Sequence, residues 1–117
     1  QIDFNGKYEF SNSVDVNITA PRTFLLGQNY PNPFNPQTRI NYQIPDISAG
    51  RIKVQITVYN LLGMKIKTLV SESKTSGYYF VYWDGKDDAG NLVPTGTYIY
   101  RLEANNYIST KRMVLIK

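Results

Sequence analysis

The densest set of oxygen donors in the chain lies in DGKDDAGN, residues 84–91. Asp84, Asp87, Asp88 and Asn91 carry the hard ligands that calcium takes, and the glycines beside them permit tight turns. The spacing departs from the EF-hand pattern, and no glutamate follows to close a site. A hairpin loop built on Asx turns, with Gly85 and Gly90 at positive φ, uses the same residues for a structural reason alone. That reading is the simpler one, and a calcium site is the weaker alternative. Other chemistry is harder to assemble. The chain has no histidine and no cysteine, which removes the commonest general base, the commonest metal ligand, thiolate nucleophiles and disulfides together. Its serines stand without a nucleophile elbow. The acids sit mostly in turns or near the N-terminus, and no spacing suggests a carboxylate pair facing across a groove. The expectation is a non-enzyme with no cofactor and no metal.

Charge bounds the partners. Thirteen basic residues against nine acidic ones leave a net +4 at pH 7. They are dispersed, and only Lys111–Arg112 approaches a basic patch, so nucleic acid is not an expected partner. The apolar run MVLI at 113–116 is four residues long, and no stretch approaches a bilayer span. The chain starts at Gln1 with neither an n-region nor an h-region, so an export signal is expected upstream or already removed. Ten tyrosines, five phenylalanines and one tryptophan, against two methionines, point to β-structure with a sticky surface.

The elements that position these residues read as strands. RINYQI alternates Ile40, Tyr42 and Ile44 with Arg39, Asn41 and Gln43. IKVQITVYN places Ile52, Val54, Ile56 and Val58 inward and Lys53, Gln55 and Thr57 outward. MKIKTLV alternates and then slips at Ile66, Leu69 and Val70, which a β-bulge would explain. YYFVYW, TYIYRLEA and ISTKRMVLI complete six strands in residues 38–117, separated by turn signals such as PDISAG, NLLG and PTG. This is the pattern of an all-β antiparallel sandwich. Residues 1–20 stand apart: a hairpin around Asn5–Gly6, then a strand at Val14, Val16 and Ile18, then a linker beginning at TAPRT. Such a ribbon is marginal alone and must pack on something.

Three further stretches could face partners. QNYPNPFNP, residues 28–36, holds three prolines and three asparagines, and so can be neither helix nor central strand. It reads as a stiff lead-in that docks Tyr30 and Phe34 at one end of the sandwich, with its asparagines closing local turns. It is either a connector or a preordered recognition surface. In YYFVYW, alternation sends Tyr79, Val81 and Trp83 inward and Tyr78, Phe80 and Tyr82 outward. Three outward aromatics form a patch that invites cover, by the leading ribbon through Phe4, Tyr8 or Phe10, by a neighbouring module, or by a sugar polymer. The tail Lys111, Arg112, Met113, Val114, Leu115, Ile116 and Lys117 is apolar on both faces between basic ends. It suits a strand buried between two partners or one read by a receptor.

FLLGQNYPNPFNPQTRINYQIP, VYNLLGMKIKTLV, GYYFVYWDGKDDAGNLVPTGTYIYRLEA and TKRMVLIK together resemble the type IX secretion system C-terminal sorting domain, over about residues 24–117. WDGKDDAGNLVPTGTYIYRL also resembles the immunoglobulin-like domain of flagellar hook-capping proteins, and residues 1–20 resemble the closing strands of a fibronectin-like module. The resemblance implies an immunoglobulin-like sandwich of about seven or eight strands, including the leading ribbon. It divides the chain into a leading ribbon and linker at 1–20 and a sorting domain at 21–117. It implies export of a cargo domain upstream in the same chain, through secretion translocon components, to the outer-membrane surface or beyond. It places export information in the tail from Lys111 to Lys117, while Tyr30, Pro31, Asn32, Pro33 and Phe34 are recognition candidates by the reading of the proline stretch above. The outward aromatics depart from that family's pattern, which is small or polar there. Two other classes fit the residues: a self-associating subunit of an extracellular assembly built by strand addition, and a carbohydrate-binding module using Tyr78, Phe80 and Tyr82.

Overall fold

The computed structural model describes residues 21–46 and 50–117, so the ribbon expected over 1–18 lies outside the described residues. Among the described residues there are seven strands: β1 Leu25–Leu26, β2 Thr38–Ile44, β3 Ile52–Tyr59, β4 Lys65–Lys74, β5 Gly77–Trp83, β6 Gly96–Ala104 and β7 Tyr107–Leu115. They form a three-stranded sheet ordered β1-β2-β5 and a four-stranded sheet ordered β4-β3-β6-β7, with antiparallel strand pairing throughout. The six strands anticipated in residues 38–117 are β2 to β7. The short β1 falls in FLLG, where a two-residue strand leaves no alternation to read.

Period-two alternation explains the core between the sheets. Ile40, Tyr42 and Ile44 from β2 face Val54, Ile56 and Val58 from β3, with Tyr98, Tyr100 and Leu102 from β6 and Met113 and Leu115 from β7. Trp83 is buried at the end of β5, its ring 5.6 Å from Phe34 and 5.5 Å from Tyr98. The slip in MKIKTLV is a double irregularity of the β3–β4 ladder. Ile56 and Thr57 pair with Val70 and Thr68, and Val58 and Tyr59 with Lys67 and Lys65, so Leu69 and Ile66 are the extra residues. Both pack against the core as a result.

Two expectations of facing need correction. Thr57 was expected in solvent but is buried. Its directly opposite neighbour across the ladder is Arg101. The Arg101 guanidinium lies over the Tyr59 ring at 5.0 Å, donates to the Tyr59 hydroxyl at 3.0 Å and pairs with Glu103 at 2.9 Å. The arginine stem, held flat in this way, roofs the threonine. Tyr30 was expected to dock, yet it is 80% exposed, while Phe34 is buried as expected. The backbone of Tyr30 exchanges both hydrogen bonds with Arg39 at 2.9 Å, and alternation then points one of residues 29 and 30 inward. Asn29 takes the inside because buried polar partners wait for it there.

Candidate functional site

The lead-in changes sheets. Gly27 N donates to Asn41 O at 2.8 Å and Tyr30 pairs with Arg39, so residues 25–30 run along β2. Four residues later, Phe34 N donates to Val114 O at 2.9 Å and Ile116 N donates to Phe34 O at 3.0 Å, a parallel bridge onto β7 in the other sheet. Val114 N donates to Asn32 Oδ1 at 3.0 Å, and Gln28 Nε2 donates to Arg112 O at 2.7 Å. From Arg112 O to Ile116 N, the outer edge of the last strand is thus bonded by the proline segment. Proline suits this position because it has no N–H to offer a further strand. Asn32 does not close a local turn, as its type suggested; it reaches 82 positions along the chain instead.

A small polar core fixes the crossing. Asn29 Nδ2 donates to Thr38 Oγ1 at 2.9 Å and to Pro31 O at 3.1 Å, and Thr38 Oγ1 donates to Pro31 O at 2.8 Å. The Tyr100 hydroxyl donates to Gly27 O at 2.7 Å and accepts from Asn29 N at 2.8 Å. Asn29, Thr38 and Tyr100 are buried and Gly27 half-buried, and each of these polar groups has a partner, which is what makes their burial affordable. Burial pushes the Tyr100 hydroxyl up to about 12, opposed by the Asn29 amide, which favours the ionised form. Tyr100 and Thr38 could not be picked out in the sequence, since each sits in an ordinary alternating strand.

DGKDDAGN lies at the same end. Asp84 Oδ1 accepts from Lys86 N at 3.2 Å, and Asp87 Oδ1 accepts from Ala89 N and Asn91 N at 3.0 and 2.9 Å. Asp88 reaches across to β4: its Oδ1 accepts from Thr68 N at 3.2 Å and its own N donates to Ile66 O at 3.0 Å. Three carboxylates are therefore aimed at backbone amides in different directions. Among the described residues no group of three or more acidic side chains gathers as a metal would require. Gly85, at φ +76°, sits against Leu115 and the Pro36 carbonyl, each 3.6 Å from where a Cβ would stand. A cleft of about 230 Å³ is lined by Asn35 and Pro36, by Asp84, Gly85 and Leu92, and by Leu115 and Lys117. The proline segment, the acidic loop and the tail, far apart in sequence, share this one cleft.

Of the candidate recognition residues, Phe34, Met113 and Leu115 are core, and Val114 is half-buried. Tyr30, Pro31, Asn32, Pro33, Arg112, Ile116 and Lys117 are exposed. The tail is therefore an edge strand with one buried face. Tyr78, Phe80 and Tyr82 are exposed on the far face of the β1-β2-β5 sheet. No helix among the described residues is long and apolar enough to cross a membrane.

Two packed antiparallel sheets with this strand order define an immunoglobulin-like β-sandwich. The chain belongs to the FlgD Ig-like domain family, whose model matches residues 36–107. The match ends before most of β7 and begins after the proline crossing. Among solved structures, dimeric latent PorU from Porphyromonas gingivalis has the same fold, with a TM-score of 0.61 at 17% identity over 88% of this chain. This chain spans about a tenth of that one, 10% of its length. No curated protein sequence matches the chain.

Proposed function

We propose that residues 21–117 are a non-catalytic C-terminal sorting module, which carries an upstream cargo domain of the same chain out through a type IX secretion system to the cell surface. The observation that carries this reading is the joint between the proline crossing and the last strand. The tail, where the sorting-domain resemblance places export information, and the proline stretch, the other candidate recognition surface, are bonded to each other through Gln28, Asn32 and Phe34. Together they form one preordered surface, with Tyr30, Arg112, Ile116 and Lys117 outward. A translocon component binding that surface would lose little entropy in ordering it. Strand addition to a neighbouring subunit is less favoured at these places. The β7 edge from Arg112 to Ile116 is occupied by the lead-in, and Asp88 bonds the β4 edge at Ile66 and Thr68.

Deleting Lys111–Lys117 would remove Met113 and Leu115 from the core and so confuse folding with export. The sharper test uses Tyr30→Ala and Ile116→Ser in a reporter fusion, expressed in a type IX-competent host. Both side chains are exposed, so melting should hold steady while surface display falls. Display of both variants at the level of the parent fusion would sink the recognition role.

A further inference from the structure

The outer face of the β1-β2-β5 sheet is built unlike the rest of the surface. Cross-strand pairing sets Gln43 beside Tyr78, Asn41 beside Phe80 and Arg39 beside Tyr82. The Phe80 and Tyr82 rings meet edge-on at 5.6 Å, and the Arg39 guanidinium lies 4.0 Å over the Phe80 ring while its Nε donates to Asn41 Oδ1 at 3.0 Å. Leu25 borders them, 52% exposed, and a trough of about 500 Å³ runs between the rows. Among the described residues nothing covers Tyr78, Phe80 or Tyr82, which are 63, 53 and 48% exposed. Three half-exposed aromatic rings present on the order of 300 Å², at the scale where an exposed patch has a partner.

The chain also supplies an occupant in the right place. Pro21 O accepts from Asp46 N at 3.2 Å and Thr23 O accepts from the Gln43 side chain at 3.1 Å. Pro21, the first described residue, therefore lies at the Gln43–Tyr78 end of this face. Twenty extended residues reach roughly 65 Å, and even the four-residue arm before Asn5–Gly6 would span roughly 13 Å. From Tyr78 to Tyr82 is only about 13 Å along the strand. We propose that residues 1–18 of this same chain fold back on the outer face of the β1-β2-β5 sheet and bury Tyr78, Phe80 and Tyr82 against Phe4, Tyr8 or Phe10. The pairing solves two problems together, since the ribbon is marginal alone and the aromatic face is costly in water.

The chain has no cysteine, so a single introduced thiol reports one place. Asn41→Cys, on an exposed position of the same face, leaves all three aromatics intact, and Leu62→Cys, at an 83% exposed turn, serves as the reference. In the full chain, Asn41→Cys should react with a maleimide at least about tenfold more slowly than Leu62→Cys, a ratio equivalent to about 1.4 kcal/mol of closure. The ratio should not change on dilution, and adding Phe4→Ser, Tyr8→Ser and Phe10→Ser should abolish it. In the unsubstituted chain, nitration should mark Tyr30 well before Tyr78 and Tyr82. Protection that fades on dilution would assign the face to a second copy. Equal reactivity at every concentration would leave it free for a partner such as a glycan. Either result overturns the proposal.

Discussion

Tyr100→Phe isolates the hinge of the sheet crossing. The substitution keeps the ring in the core and removes one hydroxyl, which bridges Gly27 O at 2.7 Å and Asn29 N at 2.8 Å. A buried backbone group left without a partner costs about 1–3 kcal/mol. Two groups are orphaned here, but Gly27 is only half-buried, so water can reach its carbonyl, and phenylalanine has no hydroxyl to desolvate. The net loss should be about 2–3 kcal/mol, or a fall in Tm of roughly 10–15 °C for a domain of this size. The damage should be local as well as global. With Asn29 no longer held, Asn32 and Phe34 loosen from β7, and the amides of Val114 and Ile116 lose protection. Urea denaturation gives the first quantity, and hydrogen exchange at these two amides gives the second. A loss below about 0.5 kcal/mol with unchanged exchange at both amides would refute the view that Tyr100 holds the crossing.

Trp83→Ala should cost about 3–5 kcal/mol, because the ring packs on Phe34 and Tyr98 and its Nε1 donates to Lys86 O at 2.8 Å. Denaturation that is unchanged while partner binding is altered would argue against a core role. Stability should also fall in alkali. Burial pushes both Tyr100 and Tyr42 up to about 12, from an ordinary value of 10.0, with Glu72 and Tyr79 adding to the burial of Tyr42. Both are neutral in either state below pH 10, so the full contribution is present there. Above that the unfolded chain ionises first, and the contribution is lost as pH rises towards 12. At about pH 11 each should cost on the order of 1 kcal/mol, and the drop in the urea midpoint between about pH 8 and pH 11 should be roughly halved in Tyr100→Phe.

Alternation of apolar and polar residues was enough to assign the faces of β2 and β5 and to place Ile40, Tyr42, Val54, Ile56 and Trp83 in the core. A strand has period two, and its sheet has one dry side. The broken alternation in MKIKTLV likewise announced a bulge, because an extra residue must shift every side chain beyond it. Turn chemistry showed in DGKDDAGN, where Asp84 and Asp87 bond amides two to four positions on. These are local consequences of residue type. What the tertiary structure alone decided is which distant segments meet. Whether Asn29 or Tyr30 turns inward depends on Thr38 and Tyr100, which β2 and β6 bring to that point. Thr57 is buried on the side that alternation sends outward, where β6 brings Arg101 opposite it. The proline stretch and the tail become one surface because Gln28, Asn32 and Phe34 find the open edge of β7 some eighty residues away. An edge strand offers the same row of amides and carbonyls whatever its side chains, so nothing in either stretch names the other as its partner.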